Sequence, residues 1–93
     1  MENYNYPKDK LYLRVGNLLT SLKDIANKNG NLSLYAYLLT ISRSIKPEDI
    51  EGVIKTEKHI LSKNFLNQRD FKDKDKESMI PIIRDYKLNS INI

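Results

Sequence analysis

The chain has 93 residues, 16 basic against 12 acidic side chains, a net charge of +4 and no cysteine. This length fits one domain with a modest core, and the absence of cysteine excludes a disulfide framework, a thiol nucleophile and a thiolate metal site. Residues 1–46 carry seven basic and three acidic side chains, whereas residues 47–93 carry nine of each. This bias favours acidic partners but falls short of a nucleic-acid-binding signature.

No membrane or targeting segment is expected. The longest apolar run, Leu34 to Leu39, is far shorter than the roughly 20 residues of a membrane-spanning helix. The N-terminal sequence lacks the basic-then-apolar profile of a signal peptide. We therefore expect a cytoplasmic protein without a membrane partner.

Residues 1–7 have no helical periodicity and are interpreted as an N-terminal arm. A first helix is predicted over about residues 8–29, because its apolar residues recur at the spacing of one helix face. Gly30 is expected to end this helix in a left-handed cap. The predicted buried residues are Leu11, Val15, Leu18, Leu19, Leu22, Ile25 and Ala26.

A second helix is predicted over about residues 33–45, with Leu34, Leu38, Ile41 and Ile45 in one apolar row. Because it is apolar around much of its circumference, we expect it to be the central, buried helix. The segment 32–41 is also rich in strand-forming residues, so a buried strand remains an alternative.

A third helix is predicted over about residues 47–66, with Pro47 at its first position. Its buried stripe would consist of Ile50, Val53, Ile54, Ile60, Leu61 and Phe65. Residues 67–78 are interpreted as a charged linker or a frayed helix extension, and residues 78–88 as a short helix with Ser78 as its cap and Pro81 in its first turn. The expected fold is an all-α bundle of three main helices and a short C-terminal helix, or α+β if residues 32–41 form a strand.

The only histidine, His59, is predicted to lie on the surface. On a helical wheel of about 100° per residue it falls opposite the apolar stripe, in line with Lys55 and Lys63. Glu57 lies about 160° away from it, so the two side chains are not expected to act together. A single histidine without cysteine is also a poor basis for a metal site.

Glu57 falls inside the apolar stripe of the third helix, where an unpaired carboxylate would be costly. We expect it to lie at the edge of the stripe or to meet a cation, from Arg14, Arg43 or Arg84. Alternatively, this part of the stripe faces a partner, such as a second copy of the chain in a homodimer.

The sequence contains no glycine-rich phosphate loop, calcium loop or serine–histidine–carboxylate arrangement. We therefore expect no enzyme activity, no catalytic residues, no cofactor and no metal.

Two functions remain after this exclusion. The first is a small protein-binding inhibitor or adaptor that occludes a surface of a larger protein or nucleoprotein. Lys, Asn, Ile and Tyr make up 39 of the 93 residues, which indicates an A/T-rich genome and is common both in phage and mobile-element genes and in the genes of A/T-rich bacteria themselves. An anti-defence protein of the anti-CRISPR type is therefore one form of this hypothesis.

Because tyrosine and arginine are frequent interface anchors, the candidate partner-binding residues are Tyr4, Tyr6, Lys8, Lys10, Tyr12, Arg14, Tyr37, Lys46, Lys55, His59 and Lys63. Core packing is the alternative for the tyrosines.

The second function is a small basic DNA- or RNA-binding regulator, since three helices fit a helix-turn-helix outline. Two features oppose it. The turn at Ile45–Pro47 lacks the usual glycine, and the third helix begins with Glu48, Asp49 and Glu51, which repel phosphate.

Overall fold

The computed structural model describes residues 8–91, and the predicted arm 1–7 lies outside that range. The described residues form four α-helices and one short 3-10 helix: α1 (Lys8–Lys28), α2 (Leu32–Ser44), α3 (Ile50–Leu61), the 3-10 helix (Phe65–Asn67) and α4 (Asp73–Ile91). No strand occurs within residues 8–91. The predicted all-α bundle is therefore confirmed, and the alternative with a strand at residues 32–41 is wrong.

The central helix is α1, and the prediction that α2 holds this position is wrong. α1 packs against each of the other three α-helices, whereas α2 packs mainly on α1. The reason lies in the apolar faces: within α2 only Leu34 and Leu38 are buried, while α1 buries a stripe along most of its length. That stripe comprises Leu11, Val15, Leu18, Leu19, Leu22 and Ala26.

The turn between α1 and α2 explains why residues 32–41 are helical. Gly30 has a φ of +72°, a left-handed conformation that favours glycine. The next residue, Asn31, is the N-cap of α2, and its side-chain oxygen accepts a hydrogen bond of 3.1 Å from the N–H of Leu34. This cap satisfies an N–H group that the first helical turn leaves without a partner.

α3 is shorter than predicted at both ends. It begins at Ile50 rather than Pro47, because the Asp49 carboxylate caps the helix by accepting from the Gly52 N–H at 3.1 Å. It ends at Leu61, since the N–H and hydroxyl of Ser62 both bond to the His59 carbonyl and the backbone then becomes extended. In this arrangement Ile54 is 36% exposed and not buried as predicted.

The 3-10 helix brings Phe65 into the core. Phe65 is fully buried, and its ring meets that of Phe71 edge to face at 4.9 Å between centroids. The chain after α3 therefore contributes two aromatic rings to the core.

α4 is longer than the predicted helix at residues 78–88. It begins at Asp73, so Ser78 is not its cap, and Pro81 lies in its interior. Asp73 and Asp75 lie in the first turn, where carboxylates complement the positive end of the helix dipole. Met79 and Ile83 are buried, and Ile82 and Tyr86 are half-buried, so these four side chains form the inward face of this helix.

Candidate interaction surface

The predicted partner-binding residues whose side chains are described lie on several elements of the fold. Tyr4 and Tyr6 lie outside the described residues, and Lys8 begins α1 without a described side chain. Tyr12 is half-buried against the core, as the core-packing alternative expected. Four basic residues are exposed on separate elements: Lys10, Lys46, Lys55 and Lys63.

Tyr37 and His59 are the two predicted residues that the fold brings into direct contact. The Tyr37 hydroxyl and His59 Nε2 are 2.8 Å apart, at an exposed position between α2 and α3. The imidazole ring also meets the Phe65 ring edge to face at 5.4 Å. No carboxylate whose side chain is described (residues 10–89) hydrogen-bonds to this ring. His59 therefore links two helices at the surface.

Glu57 lies in a cluster that joins three helices. Its Oε2 atom is 3.8 Å from Arg14 Nη2 and accepts a hydrogen bond of 2.5 Å from the Tyr86 hydroxyl. The Arg14 guanidinium also lies 5.2 Å from the centre of the Tyr86 ring. Burial, the hydrogen bond to Glu57 and the negative charge of Glu57 raise the pKa of Tyr86 well above its ordinary value, so it stays a neutral donor. The expectation that Glu57 meets a cation is confirmed, with Arg14 as the partner, and Arg14 is therefore partly withdrawn from the surface.

A second polar cluster surrounds Asp75, which is only 1% exposed. Its carboxylate accepts hydrogen bonds from the side chains of Asn29 at 2.8 Å and Asn31 at 2.7 Å, and from the Lys72 N–H at 3.0 Å. Burial alone raises the pKa of Asp75, but these three hydrogen bonds outweigh it and the pKa lies below its ordinary value. The cluster holds the start of α4 against the turn between α1 and α2, so we interpret it as structural.

A groove open to solvent lies between the end of α3 and α4, and we call it the α3–α4 groove. Its volume is about 310 Å³. The apolar side chains along it are Ile60, Leu61, Leu66, Ile80 and Ile83, and the cations are Lys63, Arg84 and Lys87.

The cations of this groove are available to a partner. Lys63, Arg84 and Lys87 are all exposed. Among the described side chains, residues 10–89, no carboxylate lies within 4.0 Å of any of their charged groups. Ile80 is 43% exposed, so apolar surface and unpaired positive charge occur together here.

Of the residues that line this groove, only Lys63 is among the predicted partner-binding residues. Arg84 is predicted only as a possible partner of Glu57, and Ile80 and Lys87 are not predicted, because the wheel of one helix does not show which residues the end of α3 lies beside. A signal was present: residues 80, 83, 84 and 87 are spaced i, i+3, i+4 and i+7, which places them on one side of a helix.

A second groove, of about 380 Å³, lies between α1 and α4. It is larger but electrostatically mixed. Its cation Arg14 already contacts Glu57, and Asp85 adds a negative charge to its lining. Its other polar groups include the amides of Asn17 and Asn89. It therefore offers a weaker basis for recognising a partner by charge than the α3–α4 groove.

Within the described part of the chain, no three His, Cys, Asp or Glu side chains are grouped so that they could hold a metal ion. None of the described helices combines the length and the apolar character needed to cross a bilayer. No protein family, curated protein or solved structure shows significant similarity to the chain.

Proposed function

We propose that this protein is a small non-enzymatic inhibitor or adaptor that binds a larger protein or nucleoprotein and covers part of its surface. The observation that carries the proposal is the α3–α4 groove, where the exposed Ile80 and the half-buried Leu61 and Leu66 adjoin three cations. An apolar centre with a polar rim is the usual composition of a protein–protein interface. An anti-defence protein of a phage or mobile element, of the anti-CRISPR type, is the form that the small size and the composition favour.

The lining of the groove favours a protein over a nucleic acid as the partner. Surfaces that bind single-stranded nucleic acid commonly use aromatic rings on which bases stack, and no aromatic side chain lines this groove. Duplex binding commonly places a basic helix in the major groove. The start of α3 instead carries the Asp49 cap and Glu51, which repel phosphate.

Affinity capture tests this proposal directly. The tagged protein is incubated with lysate of the organism that carries the gene, and a second aliquot is treated with nuclease. We expect a defined protein to be retained after nuclease treatment and to form a complex of fixed stoichiometry when purified and mixed with this chain.

A retained fraction that disappears on nuclease treatment would contradict the proposal. It would favour the DNA- or RNA-binding regulator, whose binding to generic duplex should also fall steeply as salt rises.

A further inference from the structure

We propose that the α3–α4 groove receives an acidic amphipathic helix of the partner, lying along α4. This inference rests on the proposed function and specifies the part of the partner that is recognised. Three features of the described residues support it: the helical spacing of the groove residues on α4, the positive charge of the groove, and the absence of a sheet edge.

The spacing of the groove residues matches a helical ligand. α4 contributes Ile80, Ile83, Arg84 and Lys87, which cover two turns or about 10 Å of its length. Leu61 and Leu66 face them from the other wall of the groove. Helices that bind in grooves insert apolar anchors at i, i+3, i+4 and i+7, a row of the same length.

The backbone of the ligand provides the second argument. An extended peptide usually binds by adding a strand to an exposed sheet edge, which supplies partners for its N–H and C=O groups. Residues 8–91 contain no strand and therefore no such edge. A helix satisfies its own backbone hydrogen bonds and can present side chains alone to an apolar groove.

The charge of the ligand follows from the cations of the groove. Lys63, Arg84 and Lys87 adjoin the apolar floor, and no carboxylate of the described residues pairs with them. The nearby Asp85 lines the groove on the other side of α4, between α1 and α4. Exposed ion pairs add little affinity, but they select the sign of the partner and accelerate its approach. We therefore expect apolar anchors flanked by glutamate or aspartate.

The test is a titration followed by two-dimensional ¹H–¹⁵N NMR. The probe is a synthetic helix of about 14 residues with leucines at i, i+3, i+4 and i+7 and glutamates at the flanking positions. A counterpart in which every glutamate is lysine provides the charge control. We expect the acidic peptide to shift the amide signals of residues 61–66 and 80–87, and the basic peptide to bind at least tenfold more weakly.

Variants of the groove locate the binding site. Arg84→Glu and Ile80→Ser should each weaken binding of the acidic peptide about fivefold or more. The first variant reverses the charge of one groove cation, and the second removes one apolar side chain of the groove. The matched controls are Lys28→Glu and Leu32→Ser, which change an exposed cation and an exposed leucine away from the groove. Both controls should bind within about twofold of the unmodified protein, and circular dichroism checks that every variant remains helical.

Three results would overturn the inference: no localised shifts at about 1 mM peptide, equal binding of the basic peptide, or shifts of the groove residues by a short DNA duplex but not by the peptide. Repeating the affinity capture with the Arg84→Glu protein separates this inference from the proposed function. Equal capture of one protein by both forms would leave the proposed function standing and refute the groove as its site. Loss of that protein with Arg84→Glu, but not with Lys28→Glu, would support both.

Discussion

Replacing Asp75 by alanine removes the acceptor of three hydrogen bonds from a side chain that is 1% exposed. Losing a hydrogen bond to a charged group costs about 1.5–3 kcal/mol. The costs do not simply add, because the Asn31 amide keeps its 2.7 Å bond to the Asp70 carbonyl and the half-buried Asn29 amide is able to turn to water. We therefore expect the free energy of unfolding to fall by about 3 kcal/mol, out of roughly 5–14 kcal/mol for a domain of this size.

Urea unfolding followed by far-ultraviolet circular dichroism measures this loss. With a dependence of about 1.5 kcal/mol per molar urea, the midpoint should fall by about 2 M. Asp24→Ala is the matched control, because Asp24 is an exposed aspartate within α1. It should change the free energy of unfolding by less than about 0.5 kcal/mol.

The pH dependence of the free energy of unfolding provides a second test of the role of Asp75, and the direction of the change is defined. Hydrogen bonding holds the pKa of Asp75 in the folded protein below its value in the unfolded chain, about 3.9. The contribution of Asp75 is therefore complete above that value and is lost as the pH falls through the folded-state pKa. The stability curves of the unmodified protein and Asp75→Ala should converge in acid. A difference that stays constant into strong acid, or that is below about 1 kcal/mol at neutral pH, would refute the assigned role of the carboxylate.

Three further predictions concern other positions. Gly16→Ala should raise the free energy of unfolding by about 0.5–1 kcal/mol, because alanine favours the helix and its Cβ would meet no atom within 4 Å. Gly30→Ala should lower the free energy of unfolding by about 1 kcal/mol, because residue 30 has a φ of +72°, which disfavours alanine. Thermal unfolding compares the two variants, and shifts of the same sign would contradict this reasoning. Tyr86→Phe should lower the free energy of unfolding by about 1–2 kcal/mol in urea, because the Glu57 carboxylate loses its donor. Tyr35→Phe should be nearly neutral, because the Tyr35 hydroxyl forms no hydrogen bond with the described residues. Because the pKa of Tyr86 is raised, Tyr86 should be the last tyrosine to ionise in an alkaline absorbance titration. Its stabilising contribution should decline as the pH rises above about 10. If the last ionisation step were unchanged in Tyr86→Phe, the assignment of that step to Tyr86 would be excluded.

The sequence predicted the helices because their apolar spacing has only one geometric solution. Leu11, Val15, Leu18 and Leu22 share a face on a helix and on no other regular element. Helix ends were less predictable, since they depend on which of several neighbouring side chains forms the capping hydrogen bond. At the start of α3, the Asp49 carboxylate bonds to Gly52, and Pro47 is left outside the helix.

The start of α4 depends on contacts that are distant in sequence. In the sequence, Asp75 is one member of a charged run. In the structure its carboxylate is buried, because it accepts hydrogen bonds from Asn29 and Asn31, which lie 46 and 44 residues earlier. Its position four residues before Met79 was the available signal, because that spacing places both on one helix face.

The candidate site was partly predictable for the same physical reasons. The exposure of His59 and a cation beside Glu57 followed from a helical wheel. The choice of Arg14 among three arginines required the packing of α1 against α3. The α3–α4 groove required the placement of α4 beside the end of α3, which is a tertiary and not a local property of the sequence.

The Asn31 amide has a consequence for cooperativity. Its oxygen caps α2, and its nitrogen holds both the Asp75 carboxylate and the Asp70 carbonyl. One planar group therefore belongs to the first turn of α2 and to the approach to α4, so neither end is able to fray without disturbing the other. In native-state hydrogen exchange, the amides at these two helix starts should share a single opening free energy, as one cooperative folding unit built from segments far apart in the chain.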